Sequence, residues 1–201
     1  MLVRHRMTRT LETVTPQDTL ATAQAKMAAG RFRRLPVVQD GTLVGILTDR
    51  DIRRHVGMED RTRVRAAMTE SPLTVSPTTT VEEATHLMLA HQISGLPVLE
   101  DGQLVGIITT SDVLQAFLEM TGSAAPGSIR IDLLDGEKGR DLAEAATLLK
   151  DIGGEVLGVG TYCEPQSAQA VFYVRLRGIE SRTAVAALQH RGYTVLNVHE
   201  K

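Results

Sequence analysis

Apolar positions change their period several times along the chain, and the changes mark its elements. Leu20, Ala23 and Met27 recur at helical spacing after the turn residues Pro16 to Asp18, and Gly30 stands where such a helix stops. Two short β-rich runs follow, Leu35 to Val38 and Leu43 to Leu47. Between them lies Asp40-Gly41, a dipeptide that accepts positive φ in a tight hairpin. Thr48-Asp49-Arg50-Asp51 then opens a helix running to His55, with Thr48 as N-cap and Asp51 placed to reach back, the pattern of a capping box. The same helix start, with its free backbone N–H groups, is also a place where phosphate or ribose can be held.

This succession occurs twice without a gap. Arg33 to Asp51 (RRLPVVQDGTLVGILTDRD) returns as Ser94 to Asp112 (SGLPVLEDGQLVGIITTSD), and about twenty residues between Met7 and Arg53 are identical in the second copy. Met7 becomes Met68, Pro16 becomes Pro77 and Gly45 becomes Gly106 at one constant offset, while Val81, Ala84 and Met88 repeat the helical stripe behind a second capping box, Thr80 to Glu83. Two copies describe one duplicated supersecondary unit, since a solenoid needs roughly three repeats to stack. Halves joined this way can pack about a pseudo-twofold axis, each burying the apolar sheet face it cannot bury alone, with clefts between them. The copies occupy 1–60 and 61–120, and the small-residue, Gly/Pro-containing stretch 121–127 is a linker.

Beyond it the pattern changes. Ile129, Ile131 and Leu133 alternate as a strand, and Leu142, Ala145, Leu149 and Ile152 form a helical stripe. Val156 to Thr161 and Val171 to Leu176 are strand-like, Val185 and Leu188 mark a helix, and Thr194 to Val198 is a last strand. That order, βαββαβ over 128–201, predicts two helices on one face of a four-stranded antiparallel sheet, a ferredoxin-like α/β (α+β) fold. Gly153-Gly154 and Gly192 fall just past the two helices, where a left-handed residue is wanted.

Composition narrows the function classes. The 22 basic and 24 acidic residues nearly balance, and nothing in that balance argues for nucleic acid, where a basic stripe would be expected. Single Cys163 forms no disulfide within the chain, and its apolar surroundings predict a buried or half-buried thiol in a reducing cytoplasm. No run approaches the roughly 18 apolar residues that span a bilayer, so no membrane partner is expected. Arg4, His5, Arg6 and Arg9 make the N-terminal arm basic, either a solvated segment or a neighbour of a bound phosphate. The six histidines include no helical i, i+4 pair, so no metal is expected. Gly158-Val159-Gly160 imitates part of a dinucleotide fingerprint, but Cys163 holds the third glycine position and the stretch follows a helix instead of opening one. With no Walker loop, nucleophile elbow or local Ser/His/Asp signature, there are no catalytic residues to put forward and the chain is read as not an enzyme.

Val14-Thr15-Pro16 with Val75-Ser76-Pro77, Leu35-Pro36-Val37 with Leu96-Pro97-Val98, and Gly45-x-x-Thr48-x-x-Asp51 with Gly106-x-x-Thr109-x-x-Asp112 occur in order and twice. On these motifs the first 120 residues resemble a tandem CBS domain pair, a regulatory module that binds adenosyl ligands in the clefts between its halves. The resemblance implies AMP, ADP, ATP or S-adenosylmethionine as a regulatory ligand, with no other cofactor. It carries ligand contacts onto Thr15, Arg33, Arg34, Pro36, Thr48, Asp49, Arg50 and Asp51 in the first copy. In the second copy the positions are Ser76, Gly95, Pro97, Thr109, Ser111 and Asp112. The remainder resembles an ACT domain, a small-molecule sensor that often binds amino acids at a dimer interface. Its Asp-x-Pro-Gly-x-Leu turn is represented by Asp135 to Leu142, with Lys138-Gly139 or Gly139-Arg140 in place of Pro-Gly, a departure implying that free amino acids are not bound tightly there. A chain joining the two modules resembles CBS-ACT regulatory proteins of the acetoin utilization type.

Two functions follow from these readings. One is a ligand sensor that binds an adenine nucleotide and passes the signal through the arrangement of a homodimer to a regulated enzyme. The other is a structural adaptor that holds a partner enzyme without a small ligand. Arg33-Arg34 favours the first, because guanidinium forks suit phosphate, whereas Ser94-Gly95 at the matching place brings one hydroxyl and no charge. On this contrast a phosphorylated adenosine is expected at the Thr48/Asp51 cleft, and an uncharged adenosyl group or nothing at Thr109/Asp112.

Overall fold

A computed structural model describes residues 1–134, 141–164 and 170–200. The chain divides into two compact units, Met1–Leu114 and Gln115–Lys201. No helix among the described residues is long and apolar enough to cross a membrane.

Each repeat of the first unit is a helix followed by a hairpin and a helix start. In the first repeat α1 (Leu20–Gly30) precedes strands β1 (Arg34–Gln39) and β2 (Thr42–Thr48) and the short helix α2 (Asp49–Arg53). Asp40 and Gly41 have φ of 49° and 80°, the all-positive geometry of a two-residue hairpin loop, and Asp101-Gly102 repeats it. The helical stripe Leu20, Ala23 and Met27 closes a core with Leu35, Val37, Leu47 and Ile52. One sequence expectation is corrected here. Gly30 is the last helical residue and the left-handed stop is Arg31, with φ 53°; Gly30 instead makes room for the Phe32 ring, which lies where its Cβ would be.

The second repeat contains α3 (Val81–Ala90), β4 (Gly95–Glu100), β5 (Gln103–Thr109) and α4 (Thr110–Met120), the last of which begins in one unit and ends in the other. Between the repeats, β3 (Thr69–Glu70) pairs with β2, so β2 lies between β1 and β3.

The leaders of the two repeats are exchanged. The segment before β3 belongs to the first repeat: Val64 is in that core, its amide donates to Asp18 O, and Leu20 N donates to Thr62 O. The basic N-terminal arm does the same for the second repeat. Val3 N donates to Thr79 O at 2.9 Å, Val81 N donates to Met1 O, and Thr8 and Ile107 exchange both backbone hydrogen bonds at 2.9 and 3.0 Å. Met7 lies over Gly106 as Met68 lies over Gly45. Val3 is fully buried and Met7 nearly so, while Arg4, His5 and Arg9 stay exposed. The charge of the arm drew attention in the sequence, but its apolar residues fix it in place.

In the second unit β6 (Ile129–Leu134), α5 (Leu142–Asp151), β7 (Glu155–Cys163), β8 (Ala170–Arg177), α6 (Ser181–His190) and β9 (Val195–Glu200) give the order βαββαβ. The strands form one antiparallel sheet in the order β7-β8-β6-β9. Both helices cover the same sheet face, where Ala145, Leu149, Ala184 and Leu188 pack with Ile129, Ile131, Leu133, Val174 and Leu176. Gly153 and Gly192 take positive φ after the helices. Gly158 and Gly160 have packing reasons: a Cβ on the first would lie 2.7 Å from the Thr121 carbonyl oxygen, and on the second 2.6 Å from the Tyr173 ring. Residues 135–140, where the expected Asp-x-Pro-Gly-x-Leu turn falls, lie outside the described residues. Cys163 is exposed, contrary to expectation, because it is the last residue of an edge strand.

The exchanged arm yields a stability prediction. Met7→Ala should lower the unfolding free energy by about 2–5 kcal/mol, the usual range for a buried methionine truncated to alanine. In hydrogen exchange the Ile107 amide, 100 residues along the chain from Met7, should lose protection with it; protection that survives deletion of residues 1–8 would show that the arm is not part of this fold.

Candidate functional site

The two helix starts are built alike. Thr48 N and Oγ1 donate to Asp51 Oδ2 at 3.0 and 2.5 Å, and Asp51 N donates back to Thr48 Oγ1 at 3.3 Å, a complete capping box. Thr109 N and Oγ1 both donate to Asp112 Oδ2 at 2.7 Å. All four residues are half-buried. Each aspartate therefore commits one oxygen to its helix and keeps the other. Asp51 Oδ1 lies 3.7 Å from the Arg54 guanidinium, whereas Asp112 Oδ1 has no hydrogen-bond or salt-bridge partner among the described residues.

Three further differences separate the starts. The first turn of α2 holds two carboxylates, Asp49 and Asp51, while that of α4 holds Asp112 alone. Asp49 pairs with Arg53 at 3.1 Å. Helix α2 has five residues against eleven in α4, so α4 presents the more developed positive end.

Arg34 supplies the third. Its backbone stands opposite Thr48 in the hairpin register, but its side chain crosses to the other repeat. There Nη1 donates to Ser94 O and Nη2 donates to Ser94 Oγ at 2.5 Å. The matching residue is Gly95, and a Cβ there would collide with the guanidinium. Burial and then the neighbouring Arg33 lower the Arg34 pKa from its usual value, and the Asp112 carboxylate opposes them. The sequence placed this charge beside Thr48 and Asp51; the fold sends it toward Thr109 and Asp112. Arg33 is exposed.

The remaining sequence candidates are scattered around this frame. Pro36, Pro97 and Gly95 are buried in the strands, and Arg50, Ser111 and Thr15 are exposed. Thr15 N donates to Asp18 Oδ2 at 2.7 Å and Ser76 N to Thr79 Oγ1 at 3.1 Å, so both sit in local turns after the strand-like Val14 and Val75. Those valines bridge in parallel to Val37 and Val98. Ser94 and Arg54 were not singled out as binding residues, because their roles depend on contacts that the repeat pattern does not encode.

Residues 3–57 and 64–119 match the CBS domain family model, and the chain belongs to that family. Similar solved structures include CBSX2 of Arabidopsis thaliana in complex with AMP, 32% identical with TM-score 0.52 over 58% of this chain and 96% of that one. The CBS domain pair of protein MJ0100, in complex with 5-methylthioadenosine and S-adenosyl-L-methionine, is 27% identical with TM-score 0.55, covering 58% of this chain and 95% of its own. A putative acetoin utilization protein (AcuB) from Vibrio cholerae is 30% identical with TM-score 0.54, covering 59% and 90%.

Because Thr48 caps α2 through a half-buried reciprocal box, Thr48→Ala should cost about 1 kcal/mol. Urea denaturation followed by circular dichroism measures this, and an unchanged midpoint would mean that the box contributes nothing to the fold.

Proposed function

We propose that the protein is a non-catalytic regulatory sensor in which a phosphorylated adenosine occupies the cleft at Thr109 and Asp112. The observation that carries this reading is the Arg34 guanidinium, held on Ser94 within the field of Asp112. Asp112 Oδ1 can accept from ribose hydroxyls, the first amides of α4 face the phosphate, and Arg34 adds the countercharge. At the other start Asp49 and Asp51 already occupy Arg53 and Arg54 and no second-repeat cation among the described residues reaches across, so we read the Thr48/Asp51 cleft as the one for an adenosyl group without a phosphate. This reverses the assignment expected from Arg33-Arg34 in the sequence. The AMP held by CBSX2 supports the ligand class.

The second unit we read as ACT-like, on its βαββαβ order and its sheet, and the whole as a CBS-ACT regulator of the acetoin utilization type acting on a partner enzyme in the cytoplasm. A homodimer transmits the signal. Exposed Val56 and Leu89, at 74% and 71%, and the outer edge of β9, unpaired among the described residues, are surfaces that a second copy would cover. Light scattering should give twice the monomer mass, and the monomer mass throughout a micromolar dilution series would overturn this.

AMP at about 100 times its dissociation constant should add roughly 2.7 kcal/mol of stability, on the order of 5 to 10 °C in melting temperature. Asp112→Ala should abolish the shift, Asp51→Ala should retain it, and Arg34→Ala should weaken AMP more than adenosine. A shift lost in Asp51→Ala but kept in Asp112→Ala would put the nucleotide in the first cleft. If none of AMP, ADP, ATP or S-adenosylmethionine shifts the melt, the adaptor reading replaces the sensor.

A further inference from the structure

The face of the second unit's sheet opposite α5 and α6 carries charge that the CBS clefts do not use. Ile129, Ile131 and Leu133 are buried under the helices, so strand alternation turns Arg130 and Asp132 to the opposite face. In register, Arg130 stands opposite Arg175 on one side and His199 on the other, while Asp132 stands opposite Tyr173 and Asn197. Two arginines directly opposite one another destabilise a sheet unless something compensates them. Over this row lies an open groove of about 730 Å³, lined by Arg130, Asp132, Tyr162, Tyr173, Arg175 and Phe117 among others.

Arg130 is already compensated. Its Nε donates to Asp132 Oδ1 at 2.6 Å, and its guanidinium lies 4.4 Å from the Tyr173 ring centre and 5.4 Å from that of Tyr162. The Asp132 carboxylate, 3% exposed, also accepts from the Tyr162 hydroxyl at 3.3 Å and lies 3.6 Å from His199 Nε2. Arg175 is different. Nη1 donates to Ser128 Oγ at 3.0 Å, but Nε is buried with no hydrogen-bond partner among the described residues. Burial and the charge of Arg130 lower its pKa, with Tyr173 and Asp132 opposing. The buried Nε is out of a ligand's reach, but the rest of the guanidinium lines the groove beside another cation with no carboxylate paired to it among the described residues, a state that an anion in the groove relieves. Phe117, 60% exposed, and Tyr162, 39% exposed, add aromatic surface to the same groove.

We infer that this groove binds a small organic carboxylate, with the carboxylate on Arg175 and an aromatic body against Phe117, Tyr162 and Tyr173. One available guanidinium matches one planar monoanion. The groove discriminates against α-amino acids, because its carboxylate is committed to Arg130 and the arginines repel an ammonium group. This site lies on the sheet face and does not depend on the nucleotide reading.

Calorimetry and NMR on the full chain test it, with 3-phenylpropionate, phenylalanine and inorganic phosphate as probes. Saturable binding of 3-phenylpropionate is expected, with shifts in the Tyr173 and Phe117 ring signals, and phenylalanine should bind at least about tenfold more weakly. Arg175→Lys keeps the charge but loses the planar fork, so it should weaken 3-phenylpropionate by roughly tenfold while the circular-dichroism melt stays unchanged. No saturation, equal binding of phenylalanine, equal competition by phosphate, ring signals that do not move, or full affinity in a folded Arg175→Lys protein would each overturn the inference.

Discussion

Closing the edge of each repeat's hairpin is the constraint on which the first unit depends. A two-stranded hairpin is marginal in water, and its free edge invites pairing with whatever strand comes near. Here β2 is closed by β3 and β5 by the backbone of Thr8. The closing segments come from the chain just before each repeat, but each is docked on the other one. Hydrogen bonds at the edge and methionines over paired glycines act together, so neither hairpin has both its partners within its own stretch of sequence.

On this nearly symmetric frame, a few substitutions create different electrostatic environments. Asp49 and Thr110 occupy matching positions, as do Arg34 and Gly95. The first exchange loads one helix start with a second carboxylate. The second lets a long cation reach across the pseudo-symmetric junction into space that only a glycine leaves open. The two changes add a carboxylate, paired with Arg53, at one helix start and bring a cation toward the other. The duplication supplies the geometry, and the divergence supplies the difference between the sites.

Much of this was legible in the sequence. Period and turn chemistry located the helices and strands of both units, since Asp-Gly loops, capping threonines and alternating Ile129, Ile131 and Leu133 are local signals. The direction taken by Arg34 was not legible, because register places its backbone beside Thr48 while a long side chain chooses among neighbours that only tertiary packing supplies. Cys163 was misjudged for a related reason: an apolar neighbourhood in sequence does not reveal that a strand lies at an edge. The charged sheet face left a faint signal, as Arg130, Asp132, Tyr173 and Arg175 alternate with apolar residues, but such alternation ordinarily describes a solvated surface. The Arg130–Arg175 pairing becomes visible only when β6 and β8 are aligned.

The exchange of leaders also bears on how such a pair could arise. A single repeat cut from this chain would carry a leader that fits another copy and lack the one that fits itself. Two such fragments could close by lending each other their first residues, as in a domain-swapped dimer. Joining the fragments end to end would preserve every one of those contacts while making them intramolecular. The present chain has the geometry of that fusion, with an arginine in one half where the other has a glycine.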